Sequence, residues 1–326
     1  MSDLTHQPYG ITIGDASGIG PEILLKAYSQ HQLPTPFRVF GDRAVLEFYN
    51  QKLGWGVDLS SWDIQNPVLL TEADIRPGGL SAPSGAAARQ YVIDATQAAL
   101  RGEISSMVTL PMNKEATQLS APDFTGHTEL IGQLCGSRDV TIMLVSNQLI
   151  VTHVSTHVSL REAIVRAKKE RVLKIIQLTA GAVQKLRHNP QIAVAGLNPH
   201  AGENGLFGDE ELREIRPAVE AAQEQGLPVG GPFAPDTVFY LAVQKKRFDA
   251  IVCMYHDQGH IPLKLLDFEG GVNVALGLPI VRTSVDHGTA FDIAGQGIAS
   301  TASFLRAVEL ALRLSETAAT TSVAEH

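Results

Sequence analysis

A chain of 326 residues, 44% hydrophobic and 18% charged, exceeds one ordinary core and excludes wholesale disorder, so two globular domains are expected. Its 26 basic and 34 acidic residues give a net charge of −8, which offers a polyphosphate nothing and excludes nucleic acid as a partner. Two cysteines, Cys135 and Cys253, exclude a disulfide framework and a cysteine zinc site, and they suit a reducing cytosol.

The opening MSDLTHQPYG has neither a basic nor an apolar signal region, so no signal peptide is expected. No apolar stretch approaches the roughly 18 residues of a membrane span. A soluble, cytoplasmic protein follows.

In chain order, strand-like runs fall at 11–13, 38–40, 107–110, 141–145, 149–152, 192–195 and 250–254. Segments of helical length lie between several of them, at 21–30, 84–101, 160–186 and 210–225. This alternation predicts an α/β fold with a largely parallel sheet. In 84–101, Tyr91, Val92, Ala95 and Ala98 or Ala99 recur at three- and four-residue steps, so one face is apolar. No repeat of 20–50 residues is present. A final helix at 301–313 could return to the first lobe, and the tail SETAATTSVAEH, with one valine as its anchor, is expected to fray. The expected lobes are 1–122 plus 296–326, and 123–295.

Near the start, ITIGDASGIGPE reads as a strand, a glycine-rich turn and a helix opened by Pro21. Its Gly14, Gly18 and Gly20 fit neither G-x-G-x-x-G nor a Walker A loop. Asp42, ending RVFGD, sits where a ribose-binding acid would lie in a dinucleotide fold. A tight strand-to-helix turn at a domain core is the stronger reading, with Asp15 and Glu22 as candidates to face a cleft.

Of the eleven histidines, His6, His31, His188 and His326 have polar or terminal surroundings and read as solvated. His127, His153, His157, His200, His256, His260 and His287 fall at strand-like ends or turns. Two H-x3-H pairs occur. VTHVSTHV is β-branched and should be extended, which separates His153 from His157 by about 13 Å at ~3.3 Å per residue. One ion bound at about 2 Å cannot take both. Gly259 and Pro262 argue against a helix through MYHDQGHIP. A metal would therefore draw single histidines from separate loops, and His157, His200 and His256 fit best. For each alone a satisfied hydrogen-bonding role is the simpler reading, and for the three together the two readings weigh about equally. Three neutral imidazoles would select a borderline dication such as Zn²⁺, Co²⁺ or Ni²⁺, and they leave its charge uncompensated for Lewis-acid work.

From 255 to 300, Lys264 and Arg282 stand at strand-like ends, with Asn273 in a strand-like run between them, in a stretch poor in other charges. Such groups hold a phosphate or carboxylate, although each could simply extend along the surface. The GHTEL segment could add His127 and Thr128 at a helix start, where backbone N–H groups favour an anion.

Eight blocks, in this order, resemble the 4-hydroxythreonine-4-phosphate dehydrogenase family of pyridoxal phosphate biosynthesis and its catabolic relatives. They are GIGPE (18–22), PMNKE (111–115), GHTE (126–129), THVSL (156–160), LNPHAGENGLFGDEE (197–211), GPFAPDT (231–237), YHDQGHIPLK (255–264) and VNVALGLPIVRTSVDHGTAFDIAG (272–295). The resemblance spans about residues 10–315.

The resemblance implies a two-lobed fold similar to isocitrate and isopropylmalate dehydrogenases, with the active site in the interdomain cleft. Its metal ligands fall on His157, His200 and His256, for a divalent ion of the Zn, Co or Mg type. Its substrate contacts fall on His127, Thr128, Lys264, Asn273 and Arg282. It further implies a homodimer with the metal at the subunit interface. DHGTAFDIAG is similar to an adenosine-binding loop, which would place His287 and Asp292 near the adenosine of NAD or NADP and explain the missing G-x-G-x-x-G.

The implied reaction is oxidation of the 3-hydroxyl of a 4-phosphorylated four-carbon acid, followed by decarboxylation. Lys264 is a candidate catalytic group. Asp236 would be a proton acceptor or the partner of a ligand imidazole, and a helix N-cap role is equally open to it. The 4-hydroxythreonine 4-phosphate reading comes first. PMNKE and QGHIPLK look more like the branch acting on 4-phospho-D-threonate or 4-phospho-D-erythronate, and GDASG lacks the proline the family often has after the aspartate. A rival class using the same three histidines is a metal-dependent lyase or hydrolase, and the implied fold also resembles that of phosphate acetyltransferases, a class that would not need them.

Overall fold

The computed structural model describes residues 7–322. His6, His326 and the last four residues of the expected tail lie outside them. The first segment carries strands β1 (Tyr9–Thr12), β2 (Phe37–Phe40), β3 (Asp63–Gln65) and β4 (Met107–Thr109), with helices α1 (Gly20–Ser29), α2 (Arg43–Leu53), α3 (Ala82–Leu100), α4 (Lys114–Gln118) and α5 (His127–Leu134). The middle segment carries β5 (Thr141–Val145), β6 (Ile150–His153), β7 (Ile192–Ala195), β8 (Val229–Phe233), β9 (Ala250–Cys253) and β10 (Val272–Leu276). Its helices are α6 (Leu160–Arg166), α7 (Lys169–Leu186), α8 (Arg216–Glu224), α9 (Pro235–Val243) and α10 (His256–Leu266). The chain ends with β11 (Arg282–Val285) and α11 (Ala302–Ser322).

Two compact units result: the chain up to Arg138 together with the stretch from Leu278 onward, and Asp139–Gly277. The divisions fall at 138/139 and 277/278, compared with 122/123 and 295/296 in the sequence reading. Helix α5 belongs with the first unit, where it packs on α3.

In the first unit the strands run β3-β2-β1-β4-β11 and every pairing is parallel. Parallel strands need helical crossovers, which cover the sheet and leave strands apolar throughout. Accordingly β1 and β4 are buried along their whole length. Helix α3 turns Tyr91, Val92, Ala95 and Ala98 inward, which settles the stripe on Ala98 rather than Ala99.

The second unit has the order β10-β5-β6-β9-β7-β8. Strands β10, β5 and β6 pair antiparallel, while β6, β9, β7 and β8 pair parallel. Alternate residues of β7 and β9 point to opposite faces. Val194 and Val252 join a core with Val172, Ile176 and Val219 from α7 and α8. Ala193 and Ile251 join another with Val238 and Leu263 from α9 and α10.

Three sequence expectations are corrected. The helix expected over 160–186 breaks at Ala167 and Lys168, because Glu214 accepts from the Lys169 backbone N–H and from Lys168 Nζ, each at 2.9 Å, and so opens α7 as a separate helix. MYHDQGHIP is helical from His256 onward despite Gly259 and Pro262. A Cβ on Gly259 would stand 2.5 Å from His153 Nε2 and 3.0 Å from Cys253 Sγ, so packing on β6 and β9 overrides local propensity. The supposed tail continues α11 as far as Ser322.

No helix among the described residues is long and apolar enough to cross a membrane.

Candidate active site

In the first unit the neighbouring strands β4 and β11 bring buried polar groups together. Arg282, the first residue of β11, is 2% exposed. Its Nη2 donates to Thr109 Oγ1 at 2.7 Å, and its Nε is buried without a hydrogen-bond partner. Burial lowers its pKa to about 10, while Glu129 acts in the opposite sense, so the guanidinium is charged at neutral pH.

His127 and Thr128 open α5 after the N-cap Gly126. The His127 Nε2 is buried and without a partner. Burial, reinforced by the Arg282 charge, pushes this imidazole down to about 3. A buried cation with spare N–H capacity, beside a neutral imidazole and a helix N-terminus, is an environment that accepts an oxyanion.

The glycine-rich turn is a packed junction rather than an open cradle. Asp15 and Glu22 are both buried. Asp15 Oδ1 accepts from the Ser17 N–H at 2.8 Å, while burial raises its carboxyl to about 6 against the backbone N–H groups of Ser17 and Asn113. Asp42 accepts from the backbone N–H groups of Leu69 and Leu70 and from the Tyr91 hydroxyl. That carboxylate is saturated by its own unit and holds the 66–70 loop, so the ribose-binding reading is set aside.

In the second unit four imidazoles cluster. Strand β6 ends at His153, so His157 lies in the following loop rather than on an extended run. The His256 and His260 rings stack at 3.5 Å and 11°. His260 Nδ1 lies 3.0 Å from the His256 carbonyl and 3.2 Å from His153 Nε2. A carbonyl only accepts, so His260 Nδ1 carries the proton and His153 Nε2 accepts from it. Burial, followed by the neighbouring His260, pushes His153 down to about 3.

His256 Nδ1 donates to Asp257 Oδ1 at 2.7 Å, which frees Nε2 as the acceptor nitrogen of this ring. His157 and His256 have ring centroids 5.7 Å apart. His200 lies against Phe207 at 6.0 Å. Among the described residues no three His, Cys, Asp or Glu side chains are arranged to hold a metal ion. One chain thus brings two of the three expected residues, His157 and His256, near each other and does not assemble the full set.

His200 occupies an unusual backbone. His200, Ala201, Glu203 and Asn204 all have φ between 41° and 56°, a left-handed run that costs roughly 1–2 kcal/mol per residue for L side chains. Glu211 holds it. Its Oε1 accepts from the Leu197 and Asn198 N–H groups at 2.7 Å each, and Oε2 accepts from Asn198 Nδ2 at 2.9 Å.

Lys264 is half-buried on α10 with Nζ 5.2 Å from the Phe268 ring centre. Asn273 lies on β10 with Oδ1 buried and without a partner. Asp236 is exposed in the first turn of α9, whose N-cap is Ala234. His287 and Asp292 are exposed in the loop after β11.

The sequence reading did not single out Thr109 or Glu211. Glu211 carried a signal, because it falls on one helical stripe with Ile215, Val219 and Ala222, where a glutamate must find internal partners.

The family model described as "Pyridoxal phosphate biosynthetic protein PdxA" matches residues 32–311. The D-threonate 4-phosphate dehydrogenase of Salmonella typhimurium is 44% identical, covering 93% of this chain and 98% of that protein. The 4-hydroxythreonine-4-phosphate dehydrogenase of Geobacter metallireducens is 43% identical, covering 93% of this chain and 94% of that protein. The crystal structure of 4-hydroxythreonine-4-phosphate dehydrogenase from Klebsiella pneumoniae superposes with a TM-score of 0.81 at 38% identity, covering 95% of this chain and 99% of that chain. A β-decarboxylating dehydrogenase from Thermococcus kodakarensis shares the fold alone, at 14% identity and a TM-score of 0.52 over 94% of this chain and 83% of that chain. Matched over most of its length by the family model and over nearly all of it by relatives that are dehydrogenases, the chain belongs to the PdxA family.

Proposed function

We propose that this protein is a nicotinamide-dependent dehydrogenase that oxidises the 3-hydroxyl of a four-carbon acid phosphorylated at C4. The observation that carries the substrate class is the buried Arg282 guanidinium, with an unpartnered Nε beside a histidine held neutral. With His127 and Thr128 of the same unit it supplies donors that an oxyanion requires, and Lys264 and Asn273 are the second unit's own candidate anion-binding groups. The C3 hydride passes to the nicotinamide ring, and the hydroxyl proton leaves through Lys264 or Asp236. The resulting 3-keto acid releases C1 as CO₂, its bonding electrons moving into the C2–C3 enolate.

4-Hydroxythreonine 4-phosphate is the first substrate reading. D-threonate 4-phosphate is the second, favoured by PMNKE, QGHIPLK and the 44% identity to a D-threonate 4-phosphate dehydrogenase.

His157, His200 and His256 would hold a divalent metal, with a second copy of the chain completing the set that one chain leaves open. A metal bound there would supply Lewis acidity to the alcohol oxygen. A second copy is further supported by α10, where Ile261 and Leu265 stand 64% and 86% exposed on one face, followed by Phe268 at 74%. Large apolar groups in one exposed stripe mark an interaction surface. His287 and Asp292 would lie beside the adenosine of the cofactor.

The test follows absorbance at 340 nm with NAD⁺ and each of the two phosphorylated acids in parallel, with metal content measured on the same protein. NADH formation with one or both supports the reading. No NADH from a metal-loaded protein with any of them would end it.

A further inference from the structure

Helix α1 presents two oppositely charged side chains, one turn apart, to a single backbone turn. Glu22 Oε2 accepts from the Gly295 N–H at 2.8 Å and from the Gly297 N–H at 3.4 Å. Lys26 Nζ donates to the Gly297 carbonyl at 3.2 Å and to the Ala299 carbonyl at 2.8 Å. The carboxylate takes the N–H groups of Gly295 and Gly297, and the ammonium takes the carbonyls of Gly297 and Ala299 just beyond them. Gly295 and Gly297 have φ of 76° and 72°, in the region that L side chains rarely enter.

The other end of this segment is tied to the loop before α1. The Ile19 N–H donates to the Thr289 carbonyl at 3.0 Å. A Cβ on Gly18 would lie 2.9 Å from Thr289 Cβ, so only glycine allows this approach. Between residues 286 and 300, Thr289 and Ala299 alone are buried. With so little apolar anchoring, the shape of the segment rests on polar bonds: its own turns, where Ile293 N–H donates to the Ala290 carbonyl and Gln296 N–H to the Ile293 carbonyl, and its ties to residues 18–26.

We propose that Glu22 and Lys26 are positioning residues for the nicotinamide cofactor. By fixing 289–299, which carries Asp292, they order the adenosine-side loop during folding, and cofactor binding does not bear that entropy cost. This rests on the reading that places His287 and Asp292 beside the adenosine. It also gives the glycine-rich loop a role without any phosphate bound to it.

The experiment titrates the whole protein with NADH by fluorescence and measures initial rates for Lys26→Met, Lys26→Arg, Glu22→Ala and Asp292→Ala. Loss of the paired charge-assisted bonds in Lys26→Met should weaken NADH binding and raise KM for NAD⁺ about tenfold, with kcat within about twofold of wild type. KM for the phosphorylated acid should stay unchanged, and Lys26→Arg should recover most of the affinity. Should Lys26→Met and Glu22→Ala lower only the melting temperature while Asp292→Ala weakens NADH binding, the positioning role is overturned and the cofactor reading stands. Should Asp292→Ala leave NADH binding unchanged, the cofactor reading fails and takes this proposal with it.

Discussion

Arg282 Nη2 donates to Thr109 Oγ1 at 2.7 Å, so a buried guanidinium is tethered by a neutral hydroxyl while its Nε has no partner. The arrangement holds the charge in place without neutralising it. A protein that needed this residue only for stability would be better served by an apolar side chain of similar volume.

Arg282→Met should therefore separate function from stability. Loss of a buried donor to an anionic ligand costs about 2–5 kcal/mol, so kcat/KM for the phosphorylated acid should fall ~30-fold or more. The melting temperature should stay level or rise. Unimpaired turnover would refute the anion-site assignment, and a large drop in melting temperature would show the charge to be internally compensated.

His127 is held down to about 3, below the ~6.5 of a free imidazole. As pH falls below the unfolded value, the unfolded chain takes a proton that the native site refuses, so stability is lost from about pH 6.5 downward. The slope for this one proton is up to about 1.4 kcal/mol per pH unit. Replacing His127 with Gln should flatten the loss between pH 6.5 and 5 in urea titrations. An identical pH dependence in the variant would mean that the imidazole protonates freely in the native protein.

Glu211 holds three donors around the left-handed run at His200. Glu211→Ala should destabilise the second unit by roughly 2–4 kcal/mol, since charge-assisted bonds are lost and buried N–H groups are orphaned. Glu211→Gln, which keeps an acceptor oxygen for the backbone N–H groups, should lose less. Chemical denaturation reads the stability, and metal analysis reads whether His200 depends on the turn. Wild-type stability in Glu211→Ala would show that the turn holds itself.

Leu265 is the most exposed large apolar side chain on α10. If a second copy covers this stripe, Leu265→Glu should shift the protein from dimer to monomer in sedimentation velocity at micromolar concentration. A wild-type protein that already sediments as a monomer would remove the shared-site reading.

The sequence by itself determined the family and the α/β alternation, because those are carried by local runs: apolar strands, helix-opening turns and contiguous motif blocks. Tyr91, Val92 and Ala95 are buried where their spacing put them, and GHTEL does open a helix at His127. Only tertiary structure decided that MYHDQGHIP is helical from His256 onward, because what stabilises it is the approach of Gly259 to His153 and Cys253, far away in sequence. It also decided that Asp42 serves the 66–70 loop, that Glu211 serves the His200 turn, and that Glu22 and Lys26 reach Gly295, Gly297 and Ala299. Burial makes the partner of each such polar group obligatory, but which partner it finds is set by chain segments that no local pattern links.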